Sequence, residues 1–367
     1  MTTFTKLRRF TCHRFAGLAF SVLAAGSLVT AAHADAYEPH KVTTITNVAY
    51  GSALPGNLLN LHLPETRGNA KLPLVIWNAG SGWQSNSSKD AEFATLVAKE
   101  FTARGYAVAT ISVRSSVDAR FPAQGHDVRA AVRWLRENAS AYEIDPNRFA
   151  FMGDSSGGWA AAFAAATSGI PQLPGEPASA TSSAVQVAVP FYPPTDFLSM
   201  DTFAAANGLP QGFAYPHDAP TSPEGFLIQC PGEPAPVFPR APAANPGLVS
   251  MQACPGATKA ADPATYIHGN GVPIWILHGG LDPLVPYNQS LNIYQASVVA
   301  GNEVRFTFVP SAVHDLRTII GAAEATTRIH NRGGQERIVE GSGPTWDDIE
   351  HFLHVNLSRA RGHESGR

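Results

Sequence analysis

From residue 72 onward, short apolar runs alternate with longer stretches in which apolar positions recur every three or four residues. The runs at 72–77, 106–113, 148–152, 185–192, 273–278 and 304–309 read as buried strands. The stretches at 90–104, 127–142, 156–167, 287–299 and 345–357 read as helices with one apolar face. Strands that alternate with helices predict crossover units and a parallel sheet. Upstream, 42–50 and 57–63 are rich in β-formers and flank a turn at 51–56, which predicts a hairpin on an antiparallel edge. The expected architecture is α/β: a mostly parallel eight-stranded sheet flanked by helices, two of its strands preceding the first crossover.

Between about 200 and 265 the periodicity dissolves, and 12 of the 29 prolines fall there. Proline removes a donor and fixes φ, so that density is hostile to helix and sheet interiors. Long segments of this kind in compact enzymes are lids or binding loops, and 200–265 is expected to be a cap inserted into a single domain spanning 35–367. The alternative is a surface embellishment with no part in binding.

The first 34 residues differ from the rest. Lys6, Arg8, Arg9 and Arg14 precede an apolar run at 15–32, and Ala32-His33-Ala34 offers a small-x-small cleavage site, the pattern of a secretory signal peptide. Ser21, Ser27 and Thr30 interrupt a run already short for a bilayer span. The expectation is export to the periplasm or beyond, with no stable membrane anchor after cleavage near Ala34. Export changes the reading of charge and cysteine. Loss of 1–34 leaves 22 basic residues against 29 acidic, a net charge of −7, and with no basic patch interleaved with aromatics, nucleic-acid binding has no support. Cys12 departs with the leader, and Cys230 and Cys254 are expected to pair in an oxidising compartment.

The chemistry is announced at 149–160. A short apolar strand runs through Gly153-Asp154-Ser155-Ser156-Gly157, a G-x-S-x-G pattern, into an Ala-rich helix. On a sharp strand-to-helix turn Ser155 is presented as a nucleophile, and the amide of Ser156 at the helix N-terminus faces a developing oxyanion. Ser156 is the rival nucleophile but lies one position off the motif. The strand at 273–278 ends in Gly279-Gly280-Leu281-Asp282-Pro283, which places a carboxylate where a base could be oriented; the plain reading is a turn-forming Asp before Pro. His314 follows the last strand and is the expected base; His278 and His126 read as structural. His351 and His354 lie three apart on the C-terminal helix without a third ligand at matching spacing, so neither a metal nor a cofactor is expected. After the strand at 72–77, Ala79-Gly80-Ser81-Gly82 forms a Gly-rich loop whose Gly80 and Ser81 amides are candidate partners of the Ser156 amide in an oxyanion hole.

The order Ser155, Asp282, His314, with Phe121-Pro122, the run 127–135, Ile144-Asp145-Pro146-Asn147-Arg148, Phe191-Tyr192-Pro193-Pro194-Thr195-Asp196 and Asp282-Pro283-Leu284-Val285-Pro286, resembles the hormone-sensitive-lipase-like and feruloyl-esterase-like branch of the α/β-hydrolase superfamily. The resemblance covers most of 70–315. It implies hydrolysis of a small-molecule ester through an acyl-enzyme, with Trp83, Trp159 and Tyr192 near the acyl or alcohol pocket. The chain departs from the family's His-Gly-Gly-Gly loop, with Ala79 and Ser81 at the His and middle Gly, and its 315–345 segment is longer than usual. A serine exopeptidase, or a binding protein of this fold without turnover, are the alternative functions.

Overall fold

The computed structural model describes residues 41–65, 70–208, 216–269 and 271–362; the expected leader at 1–34 lies outside them. The described strands are β1 (Val42–Ala49), β2 (Leu58–Pro64), β3 (Leu72–Asn78), β4 (Ala107–Ile111), β5 (Ile144–Asp154), β6 (Val187–Phe191), β7 (Ile274–Gly279), β8 (Val304–Val309), β9 (Ala325–His330) and β10 (Glu336–Gly341). They form one sheet in the order β1-β2-β4-β3-β5-β6-β7-β8-β9-β10. The six strands from β4 through β8 in that order run parallel, and the β1–β2 hairpin joins β4 antiparallel, as its sequence predicts.

The strand count differs from the expected eight. β9 pairs antiparallel with β8, and β10 with β9, through a hairpin built from the long 315–345 segment. Every residue of β10 is exposed, so the strand carries no apolar face for periodicity to detect. The turn Asn331-Arg332-Gly333-Gly334 between stretches containing Thr326, Thr327, Ile329, Ile338 and Val339 was the available hairpin signal.

The helices are α1 (Glu92–Thr102), α2 (Ala123–Glu137), α3 (Ser156–Ala166), α4 (Met200–Ala206), α5 (Pro223–Ile228), α6 (Pro255–Ala261), α7 (Asn288–Val299), α8 (Leu316–Ile319) and α9 (Trp346–Gly362). Alternate residues of a strand point to opposite faces, so β3 and β5 feed two cores. Leu74, Ile76, Phe149 and Phe151 pack with α2 and α3 residues on one side; Val75, Trp77, Ala150 and Met152 pack with α1 and α9 residues on the other. Every residue of α3 is buried, and the run of alanines lets it lie close to the strands without displacing them.

The 200–265 segment is not devoid of structure: α4, α5, α6 and several 3₁₀ turns punctuate it. It is tied to the body by Phe121 N–H to the Leu227 carbonyl (2.8 Å), Gln229 Nε2 to the Ser116 carbonyl (2.8 Å) and Trp159 Nε1 to the Ala261 carbonyl (2.8 Å). Cys230 and Cys254 are joined by a disulfide with Cα atoms 5.7 Å apart, inside this segment.

Candidate active site

In a parallel sheet the carboxyl ends of the strands gather on one rim, and loops there can bring distant residues together. The end of β5 supplies Ser155. Its backbone stands at φ 55°, ψ −122°, a strained region for a non-glycine residue, between the strand and α3. The turn is tight enough to exclude side chains at its flanks. A Cβ on Gly157 would come within 1.8 Å of the Asn78 carbonyl oxygen, and one on Gly153 within 2.3 Å of the Gly157 carbonyl oxygen. The Ser155 N–H donates to the Phe191 carbonyl at 3.0 Å, fastening the turn to the end of β6.

The loop after β7 supplies Asp282, whose side chain is wholly buried. Oδ1 accepts from the amides of Leu284 and Val285, both at 2.9 Å. Oδ2 accepts from His314 Nδ1 at 2.7 Å and lies 3.3 Å from His278 Nε2. Burial alone would raise this carboxyl, but the imidazoles, His314 foremost, outweigh it and hold Asp282 well below the usual carboxylate range. An ionised Asp282 can only accept, so Nδ1 of His314 carries the proton and Nε2 is left with its lone pair. His278 is buried: its Nε2 donates to the Val285 carbonyl at 2.8 Å, and its Nδ1 accepts from the Ser290 hydroxyl at 2.7 Å. It acts on the acid loop, in keeping with its structural reading.

Ser155 and His314 face one cavity of about 250 Å³, lined also by Gly80, Ser81, Gly82, Trp83, Gln84, Asp154, Pro194, Leu284 and Val285 and, from the inserted segment, Pro223, Glu224 and Arg240. No hydrogen bond joins Ser155 Oγ to the imidazole among the described residues, a looseness common in sites without substrate. The volume falls below the usual range of drug-sized sites, roughly 300–1,000 Å³.

Of the expected oxyanion donors, two are engaged. The Gly80 amide donates to Asp154 Oδ1 at 2.9 Å, and the Ser81 amide to Ser156 Oγ at 2.9 Å. The polar side chains at 154 and 156, next to the nucleophile, brace the loop by capturing its amides. Among the described residues no acceptor pairs with the amide of Gly82, which also borders the cavity. The amides of Gly80 and Ser81 are thus engaged, and that of Gly82 is left open beside the Ser156 amide. Asp154, which sequence reasoning passed over although it stands inside the motif, is buried, and that burial pushes its carboxyl up to about 6.

The aromatic residues divide. Trp83 is buried and borders the cavity, as expected. Trp159 does not border it: four residues along α3 place it on nearly the same helix face as Ser155 but about 6 Å further down the axis, so the indole sits in the core beneath the inserted segment, stacked on Phe163 at 5.1 Å and anchored to Ala261. Tyr192 is likewise fully buried behind the cavity wall, its ring 4.4 Å from that of His314. Glu224, Arg240 and Gln84 were missed; they lie where no periodicity or motif marks them. No group of three or more His, Cys, Asp or Glu able to hold a metal occurs among the described residues, and none of their helices is long and apolar enough to cross a membrane.

The BD-FAE family model matches residues 59–296. Esterase LipQ of Mycobacterium tuberculosis is 27% identical over 281 residues, 75% of this chain and 58% of LipQ, and the probable carboxylic ester hydrolase LipM of the same organism is 25% identical over 286 residues, 77% of this chain and 58% of LipM. The chain thus spans about 58% of the length of these curated relatives. Among solved structures, a truncated carbohydrate esterase from gut microbiota superposes with a TM-score of 0.61 at 28% identity, covering 75% of this chain and 90% of that one. Esterase B from Lactobacillus rhamnosis shares the fold, with a TM-score of 0.54 at 20% identity over 76% of this chain and 78% of its own.

Proposed function

This chain belongs to the BD-FAE family, within the carboxylesterase branch of the α/β-hydrolase fold, and from that premise we propose that it hydrolyses carboxylic esters through an acyl-enzyme on Ser155. His314 Nε2 takes the Ser155 proton as Oγ attacks the ester carbonyl; the imidazolium then protonates the departing alkoxide. Water, deprotonated by the same nitrogen, attacks the acyl group and frees the acid. Asp282 holds the tautomer and stabilises the imidazolium, and the Gly82 and Ser156 amides receive the negative oxygen. No cofactor takes part. The observation that carries the reading is the 2.7 Å contact between His314 Nδ1 and buried Asp282 Oδ2, at a cavity shared with Ser155.

The small cavity favours a short acyl group, and relatives named as esterases favour esters over peptides. The disulfide supports an oxidising compartment, in keeping with export. The full chain is expected to turn over p-nitrophenyl acetate faster than the dodecanoate, and Ser155→Ala to abolish turnover without loss of fold. Equal rates for the variant and the parent would overturn the assignment, and a folded parent inert toward every ester would favour a binding protein.

A further inference from the structure

Tyr192 stands just past the end of β6, between the strand that ends in the nucleophile and the strand that leads to the acid. Its amide donates to the Leu277 carbonyl of β7 at 2.7 Å, one residue after Phe191 accepts from Ser155. Its φ of 37° is positive, in a region that favours glycine, so the surrounding structure holds an aromatic residue in a strained backbone. Strain of that kind persists where packing over-determines a position, and the packing here is against imidazole. The Tyr192 ring centroid lies 4.4 Å from that of His314 and 6.3 Å from that of His278, with no solvent exposure. An aromatic ring within about 6 Å of a desolvated cation stabilises it through the negative potential of its face. Of the two histidines it touches, His314 is the one that becomes a cation in the proposed reaction.

We propose that Tyr192 is a positioning residue that backs the His314 ring and stabilises its imidazolium form through the aromatic face. The proposal rests on the acyl-enzyme reading. The proposal gives the effect to the ring, whose plane is tilted 48° from that of the imidazole, and none to the phenol oxygen. The other charged groups about His314 are Asp282 on Nδ1, Asp154 at the end of β5, Asp315 with its partner Arg317, and Glu224 and Arg240 across the cavity. All of them stay in place when only the electron density of ring 192 is altered.

The test replaces Tyr192 in the full chain with phenylalanine, 4-fluorophenylalanine and 3,4,5-trifluorophenylalanine, and reads kcat and the pH profile of kcat/KM on p-nitrophenyl acetate. Tyr192→Phe should stay within about twofold of the parent with the acid limb unmoved. Along the fluorinated series kcat should fall in graded fashion, to about tenfold below the parent, while the acid limb moves to lower pH by about 0.5–1, since a weaker ring face makes the imidazolium easier to deprotonate. The ring is fully buried, so circular dichroism accompanies each variant, and only variants with the parental fold enter the comparison. A flat series, or a Tyr192→Phe variant as damaged as the trifluoro one, overturns the role of the ring face while leaving the reaction itself established by parental turnover. A parent without Ser155-dependent turnover defeats the underlying reading instead.

Discussion

Asp282→Asn exchanges one oxygen for NH₂ at nearly constant shape, and the surroundings dictate which way the new amide faces. The Leu284 and Val285 amides both donate to Oδ1 at 2.9 Å. Turning the NH₂ toward them would abandon two hydrogen bonds worth about 1 kcal/mol each and oppose donor to donor, so the carboxamide oxygen stays on that side by at least roughly 30-fold. The NH₂ then occupies the place of Oδ2, 2.7 Å from His314 Nδ1, and donates where the carboxylate accepted. Nδ1 must now accept, the ring proton moves to Nε2, and the lone pair that would receive the Ser155 proton is gone. Wrong-tautomer substitutions of this kind lower kcat by about 10,000-fold, equivalent to about 5.5 kcal/mol of transition-state stabilisation. Steady-state hydrolysis of p-nitrophenyl acetate, with circular dichroism to show an intact fold, measures it. A folded variant within tenfold of the parent would refute the tautomer argument and with it the role assigned to Asp282.

Two further outcomes concern stability. Replacing both Cys230 and Cys254 by serine frees a loop with a sequence separation of 24 and should lower unfolding stability by about 3.5 kcal/mol on the chain-entropy model, read from the urea midpoint against the oxidised parent. Asp262, which accepts from the Phe197 amide, is pushed by burial up to about 8 from its ordinary 3.8. The folded state therefore binds that proton more tightly than the unfolded chain, and the contribution to stability present below about pH 4 is lost as pH rises through 8. Asp262→Asn should flatten the thermal-midpoint profile over that window; an unchanged slope would show that another group sets it.

The central α/β body could be read from the chain because it is buried on both faces. Runs such as 72–77 and 148–152 have no solvated side to dilute their apolar signal, and the G-x-S-x-G elbow is dictated by contacts as close as that of Gly157 with Asn78. β9 and β10 escaped notice because they extend the sheet where little is buried, leaving backbone pairing and a Gly-rich turn as the determinants. At the site, motif order brought Ser155, Asp282 and His314 to one rim, whereas the direction of the Gly80 and Ser81 amides depended on side chains at 154 and 156, more than seventy residues away. The partition of Trp83, Trp159 and Tyr192 between cavity and core was equally a matter of position, one helical turn down α3 for Trp159 and positive-φ loop backbone for Trp83 and Tyr192, which residue type alone does not encode.

The inserted segment meets the cavity through Pro223, Glu224 and Arg240, while Ser155, Asp282 and His314 all hang from strand ends of the sheet. On the proposed mechanism, the bond-breaking residues and the wall facing the substrate are thus separate modules of one polypeptide. Evolution, or an engineer, can rewrite the wall to admit a different ester while the proton-transfer apparatus keeps its tuning.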